Sequence, residues 1–354
     1  MVFSGLRRVL KESFYNHSFD QLSSKLNSFA ASILFNHYYK KKIIGDSYTN
    51  ISKEHLEYIE NNLDFSLPEI KSVVESEDRT VKFLIKYNDA TTVEAVLIPF
   101  QNKYSLCLSS QVGCAMNCSF CYTGTQGLSR NLSTSEIIGQ YLVANNWLRE
   151  NRPNEERILN IVFMGQGEPL HNFDAVKKAC EIFLSTHGAS IGPQKITIST
   201  SGYLPGLKRW ADEMPRVNLA LSLHSPFKEK RDELIPINKK FPLEEVINYI
   251  DEIPLSRKQF ITYEYLLIKD FNDSSTDARA VGELLQGKTA YINLIPFNPF
   301  PGSDYKRPDR EKTEAFKKVL DEYKIPTLIR VVKGDDVLAA CGQLNSKKGD
   351  QVNA

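Results

Sequence analysis

No stretch of this chain is apolar for long enough to span a bilayer. The amino terminus, Met1-Val-Phe-Ser-Gly-Leu-Arg-Arg8, has neither the apolar core nor the small-residue cleavage site of a secretory leader. A cytoplasmic protein with no membrane partner is therefore expected. An excess of one charge is also lacking: 44 Lys and Arg stand against 43 Asp and Glu, so net charge gives no global sign of nucleic-acid binding. Internal repeats, low-complexity tracts and long linkers are missing. Only six cysteines occur in 354 residues, and in a reducing compartment they argue for metal or thiol chemistry rather than disulfide staples. A dinucleotide fingerprint is absent too. Gly165-Gln-Gly-Glu-Pro169 follows an apolar run, but Leu170 stands where the third glycine belongs, which argues against NAD.

What is present is a cysteine triplet. Cys114, Cys118 and Cys121 lie in the run Gly113-Cys-Ala-Met-Asn-Cys-Ser-Phe-Cys-Tyr122. Cys-x3-Cys-x2-Cys sets three soft thiolates in one tight loop, enough to hold three irons of a 4Fe-4S cluster and leave the fourth open. Zinc is the rival ligand, yet a closed structural zinc site takes four donors and no second Cys or His pair follows at similar spacing. With aromatic Phe120 before the last cysteine, the spacing resembles the radical S-adenosylmethionine (SAM) superfamily. That resemblance implies an open iron that binds the amino and carboxylate groups of SAM and delivers the electron that cleaves it.

The length suits one large α/β domain with a smaller appendage. Residues 1–78 read as short amphipathic helices, with Leu56, Ile59 and Leu63 on one face behind the cap Ser52. Within them, residues 1–42 carry seven Lys or Arg against two acidic residues and end in Lys40-Lys41-Lys42 beside Tyr38 and Tyr39, a local basic run that by itself is more often a solvated helix face than an RNA contact. Val81–Tyr87 and Thr92–Ile98 alternate about Asn88-Asp89-Ala90, the pattern of a hairpin, and residues 79–103 are taken as a linking β-hairpin. Apolar runs at 104–109, 158–164, 195–200, 217–223, 260–268, 290–297 and 325–332 then alternate with periodic segments near 134–149, 172–185, 243–252, 274–286 and 309–323. That order predicts an α/β fold, a partial (β/α)6 barrel over 104–332, followed by a carboxyl-terminal segment 333–354. Ser133-Thr-Ser-Glu136 is a capping box, so the cluster loop leads from a strand into a helix.

Parallel α/β folds gather ligands at the carboxyl ends of their strands. Gly167 and Glu168 end the second barrel strand, Ser199-Thr-Ser-Gly202 the third, Ser222-Leu-His224 the fourth, and Asn298 opens Asn-Pro-Phe-Pro-Gly302 after the sixth. Alone, the Gly167–Glu168 and Asn298 segments read equally well as a local turn or cap, and Ser199 and His224 are more often satisfied local hydrogen-bonders than ligands. Cys341 lies among small residues after the last strand, and Cys107 lies seven residues before Cys114. Two thiols outside the triplet suggest covalent work, whereas Cys180, mid-helix among Ala179, Ile182 and Phe183, reads as structural.

Cys107-Leu-Ser-Ser-Gln-Val-Gly-Cys114, the triplet, Met164-Gly-x-Gly-Glu-Pro169, Ser199–Gly202, Ser222–His224, Pro236-Ile-Asn-Lys239, Asn293–Gly302 and Gly334-Asp-Asp to Ala340-Cys-Gly-Gln-Leu344 together resemble the RlmN/Cfr family of radical SAM RNA adenine methyltransferases. The resemblance spans nearly the whole chain. It implies a 4Fe-4S cluster on Cys114, Cys118 and Cys121, and SAM contacts from Gly167, Glu168, Ser199, Ser222, Leu223, His224 and Asn298. It further implies that Cys341 is methylated by one SAM, and that a second SAM is cleaved to a radical that activates the S-methyl group for attack on adenine. Cys107 matches the thiol that resolves the protein–RNA adduct as a disulfide with Cys341, and Glu94 matches an acidic residue assigned as proton acceptor. On chemical grounds Cys107 ranks above Glu94 as the base.

The retained Asn298-Pro-Phe-Pro-Gly302 segment favours the branch that methylates C2 of adenine in 23S ribosomal RNA and in transfer RNA over the C8 branch. Departures are Gln166, where the family usually has Met, and Tyr122-Thr-Gly-Thr125 after the triplet. The resemblance also implies an electron donor such as flavodoxin, a monomer, and a helical domain that docks RNA. Another radical SAM reaction, such as glycyl-radical activation, and a non-catalytic RNA-binding factor remain as alternatives.

Overall fold

The computed structural model describes residues 11–40, 50–100, 103–152, 157–256 and 259–347. Helices α1 (Phe19–Lys25), α2 (Ser28–Lys40) and α3 (Lys53–Asn62) open the chain. The hydroxyls of Ser18 and Ser52 accept the N–H groups of Gln21 and His55, satisfying donors that the first turn of a helix cannot pair. Phe14 packs against Tyr15, Phe35 and Phe65 with ring centroids 5.1–5.2 Å apart. This aromatic cluster is continuous with the core of the barrel. Phe19 also stacks flat on His187 at 3.6 Å, and Asn16 Oδ1 accepts the Ser135 N–H at 2.8 Å. In the basic run, Tyr39 is buried and Lys40 donates to the Thr186 carbonyl, so these two side chains dock the helices onto the barrel. Lys41 and Lys42 lie outside the described residues.

The helical reading of residues 1–78 ends at Glu69. Strand β1 (Glu69–Glu75) exposes Glu69, Lys71, Val73 and Glu75 and half-buries Ile70, Ser72 and Val74, a period of two that a helix does not satisfy. It pairs antiparallel with β2 (Val81–Lys86), and β2 with β3 (Thr92–Phe100), around a turn in which Ala90 takes a left-handed φ of 64°. The hairpin is not a detached linker. β3 pairs antiparallel with the first barrel strand, β4 (Lys103–Cys107), setting Val96 opposite Cys107.

From there the sheet runs β5 (Ile158–Phe163), β6 (Ile196–Thr200), β7 (Asn218–Ser222), β8 (Ile261–Leu267), β9 (Ala290–Pro296) and β10 (Thr327–Ile329), every neighbour parallel from β4 to β10. All ten strands stand in sequence order. Helices α4 (Thr134–Asn151), α5 (Phe173–Leu184), α6 (Leu204–Glu213), α7 (Lys228–Leu234), α8 (Leu243–Glu252), α9 (Ser275–Leu285) and α10 (Arg310–Glu322) lie in the crossovers. Parallel strands joined in order must end on one rim, which is why the motifs of distant segments meet. Both faces are covered, so β8 is buried at all seven residues and reads as a continuous apolar run broken only by Thr262 and Glu264. Buried Leu221, Tyr265 and Leu294 each contribute roughly 1.5–3 kcal/mol, and Leu221→Ala is expected to cost about 2–5 kcal/mol. Helices α6 and α7 escape the periodic pattern.

Candidate active site and cluster loop

The cluster loop leaves β4 through a short antiparallel pair, Gln111–Gly113 with Leu128–Asn131. Gly113 sits at φ 76°, and a Cβ there would lie 1.8 Å from the Gly127 carbonyl oxygen, so only glycine lets the loop close on itself. Within it, Met116 N–H points at Cys114 Sγ at 3.5 Å, and Cys121 N–H donates to the Cys118 carbonyl at 3.2 Å. Cys114, Cys118 and Cys121 line one cavity of about 160 Å³ at the carboxyl rim.

Burial pushes the Cys114 thiol up to about 12 and raises those of Cys118 and Cys121, so free thiols there are neutral and coordination must displace their protons. Among the described residues, no three His, Cys, Asp or Glu side chains are grouped to hold one metal ion. Three thiols that face a common cavity without converging on a point fit a multi-iron cluster, in which each thiolate takes a different iron, better than a single zinc.

β5 delivers Gly165, Gly167 and Glu168 to the same cavity. Gly167 has φ 102°, and a Cβ would come 2.6 Å from Gln111 Cβ. Glu168 is buried and accepts both the N–H and the hydroxyl of Ser201 at 2.8 Å, with Leu170 N–H on its other oxygen at 3.2 Å. Burial raises its pKa and the Ser201 bonds oppose the rise. Ser199, Thr200 and Ser201 from β6 and Ser222 and His224 from β7 complete the near wall. His224 accepts the Leu266 N–H on Nδ1 at 3.0 Å, which leaves the proton on Nε2. Burial, then the Arg231 charge, lowers its pKa to about 3, so the ring is a neutral donor.

Leu223 does not line the cavity. Its side chain is in the core, and its carbonyl accepts Arg231 Nε at 3.1 Å. Asn298 stands behind the wall, donating to the Cys341 carbonyl at 3.2 Å.

The carboxyl-terminal segment closes the site. Tyr122 N–H donates to the Gly342 carbonyl at 2.7 Å, and Cys341 lines the cavity beside the trio. Cys341 as a residue is exposed, yet its thiol is crowded by the wall, and lost hydration raises its pKa; Arg330 opposes that rise. Cys107 lies outside the cavity, packed with Val96 and covered by Val337, Ala339 and Leu344. Burial, and then Cys341 nearby, push its thiol up to about 12. Glu94 is buried away from the cavity, taken up by Lys82 and by the Asn345 N–H.

Sequence reasoning missed three groups. Glu264, buried in the cavity wall with Asn293 donating to it at 2.9 Å, was visible as the one carboxylate in an apolar strand. Arg330 lines the mouth and follows the last strand. Arg231 is fully buried and ties the carbonyls of Ser201, Ser222 and Leu223 together, which no local pattern announces. The arrangement can hold a cluster, orient a charged cofactor by neutral donors and buried carboxylates, and present a thiol to it.

Residues 108–279 match the model of the radical SAM superfamily. The dual-specificity RNA methyltransferase RlmN of Paracoccus denitrificans is 42% identical over 305 residues, spanning 84% of this chain and 78% of that protein. The RlmN of Bartonella henselae is 45% identical over 318 residues, covering 85% and 78% respectively. A crystal structure of a radical SAM methyltransferase from Sphaerobacter thermophilus superposes with a TM-score of 0.85 at 33% identity, over 94% of this chain and 99% of that one.

Proposed function

This chain belongs to the RlmN family of radical SAM methyltransferases, and from that premise we propose that it methylates C2 of an adenine in 23S ribosomal RNA and in transfer RNA. The observation that carries the reading is a further thiol, Cys341, in the same cavity as the cysteine trio. An activase of another radical SAM type has no use for that thiol. Cys114, Cys118 and Cys121 would hold the 4Fe-4S cluster, which supplies the electron that cleaves SAM to a carbon radical. Gly167, Glu168, Ser199, Ser222 and His224 offer the backbone and side-chain partners that hold SAM, and the neutral imidazole donates without adding charge.

Cys341 must lose its proton to take a methyl group from SAM by displacement, with S-adenosylhomocysteine leaving. Arg330 favours the thiolate. Once the S-methyl carbon of Cys341 has given up one hydrogen atom and one electron and is bonded to C2, Cys107 would take the C2 proton. Its sulfur would then bond to the Cys341 sulfur as the sulfur–carbon bond breaks, with the electron pair and the proton from Cys107 staying on that carbon as the new methyl group, which frees the RNA. The present cover of Cys107 by Val337, Ala339 and Leu344 means that the segment must shift before that thiol acts. With ribosomal and transfer RNA as substrates, the place of action is the cytoplasm, with a flavodoxin-type donor supplying electrons to a monomer. Two observations support RNA docking by the helical domain: its contacts to α4 and to the segment after α5, and the local excess of basic residues.

Protein loaded anaerobically with iron and sulfide, given SAM and a reductant, should convert both RNA classes to 2-methyladenosine, read by mass spectrometry of the digests. Product at C8 would move the chain to the resistance branch, and bound but unmodified RNA would make it a non-catalytic factor.

A further inference from the structure

The carboxyl-terminal segment is tied to the hairpin at points that bracket Cys341. Lys82 Nζ lies 3.3 Å from Glu94 Oε1 and also donates to the Leu338 carbonyl at 3.3 Å. Glu94 Oε2 accepts the Asn345 N–H at 2.6 Å. Gln166, fully buried where the family usually has Met, accepts the Glu94 N–H at 2.9 Å and donates to Ser346 Oγ at 3.3 Å. The bonds therefore fall at residues 338, 345 and 346, on both sides of the reactive cysteine. Neither Glu94 nor Lys82 faces the cavity. Under the segment so held lies Cys107.

We propose that Lys82, Glu94 and Gln166 form a buried latch that holds the Cys341 segment closed over Cys107, and that Glu94 is a positioning residue through that latch. A carboxylate stripped of water keeps its charge only where a cation and N–H donors compensate it. Here the cation is Lys82 and the donor belongs to the segment itself, so docking the segment completes the compensation and lifting it exposes the pair to water. The latch rests on the reading of Cys341 as methyl carrier, and it gives Glu94 a task before any proton leaves the adenine. Gln166 adds a neutral bond that Met cannot make, so the closed state is held more firmly in this chain.

The test uses the full-length, cluster-loaded protein and a pulse of N-ethylmaleimide, with labelling of each cysteine peptide read by mass spectrometry. Cys180, buried in α5, reports global unfolding. Lys82→Met and Glu94→Ala should label Cys107 about tenfold faster than the wild type, as expected when a local opening loses a charge-assisted bond. Glu94→Gln, which keeps an acceptor for Asn345 but loses the charge that compensates Lys82, should also open Cys107, though less than Glu94→Ala. Cys107 as slow in Lys82→Met and Glu94→Ala as in the wild type, with Cys180 protected, overturns the latch; so does a wild-type rate in Glu94→Gln. If the charged variants unfold and label Cys180, Gln166→Met decides: faster labelling of Cys107 supports the latch and a wild-type rate rejects it. Failure of the methyl-carrier reading shows separately, as unmethylated Cys341 in wild type given SAM.

Discussion

Asn298 donates through Nδ2 to the main-chain carbonyl of Cys341 at 3.2 Å, and its Oδ1 accepts Arg307 at 2.9 Å. Arg307 in turn pairs with Asp335 at 2.8 Å, and Gln343 bridges Asp335 and the Pro299 carbonyl, both at 2.8 Å. The amide that opens the Asn-Pro-Phe-Pro-Gly turn is thus a strut beneath the reactive loop. Asn298→Ala removes two part-buried hydrogen bonds, each worth about 0.5–1.5 kcal/mol, and should slow methyl transfer to Cys341 about tenfold while leaving bound iron unchanged. Intact-mass spectra over time give the rate, and iron assay gives the control.

Cys341→Ala should yield no methylated adenine yet bind a normal cluster, because its side chain ligates no iron in the proposed scheme. Cys107→Ala should instead trap a covalent protein–RNA species that nuclease treatment collapses to the protein band. Undiminished 2-methyladenosine from Cys341→Ala would sink the thiol mechanism.

Replacing any one of Cys114, Cys118 or Cys121 with Ala removes one of three cluster ligands. Iron, acid-labile sulfide and visible absorbance should all fall to near background after reconstitution, and SAM cleavage should go with them. Stoichiometric zinc in the wild type, with no sulfide, would contradict the cluster.

Gly167→Ala meets two obstacles at once, a backbone at φ 102° and Gln111 Cβ at 2.6 Å. Strain of about 1–3 kcal/mol is expected from the conformation alone, before the clash is relieved. Urea unfolding of the apoprotein should show the lower midpoint, with an unchanged slope if compactness is kept.

The imidazole of His224 stays neutral in the folded protein, its pKa lowered from 6.5 to about 3 by burial and then by Arg231. Between those values the unfolded chain binds the extra proton, so this group's contribution to stability is lost as pH falls through that window. Glu94, Glu168 and Glu264, whose pKa values burial raises, act in the opposite sense: they favour the folded state at lower pH. The His224 effect is therefore read as a difference. Apoprotein urea midpoints at pH 7 and pH 4.5 should drop more in the wild type than in His224→Gln, and parallel drops would remove His224 from the account.

Local spacing made much of the site legible. The trio, the Gly165–Pro169 turn and the Ser133–Glu136 box are each contained in a few residues, and the structure places the box's reciprocal bonds at 2.8 and 3.2 Å. The strand runs were visible because strands covered on both faces stay apolar along their length. β1 was hidden in a charged stretch, where alternate Glu and Lys mask the period; α7 spans only seven residues, and α6 opens on Leu204-Pro-Gly206, which reads as a turn. Arg231 was hidden for another reason: its partners are carbonyls of Ser201, Ser222 and Leu223, on two other segments.

By itself the sequence determined which atoms could do chemistry and in what chain order: three soft thiolates in a loop, two further thiols, and hydroxyls, carboxylates and an imidazole at strand ends. Those are properties of residue type and short spacing, and they survive without a fold. Only the tertiary structure decided that Cys341 shares the cavity of the trio while Cys107 lies sealed beside it, and that Glu94 faces Lys82 and Asn345 rather than the cavity. Contacts between residues 82, 94 and 345 close loops of up to hundreds of residues. Nothing in local propensity encodes such closures; they follow from how the sheet stacks its strands and where the final segment comes to rest.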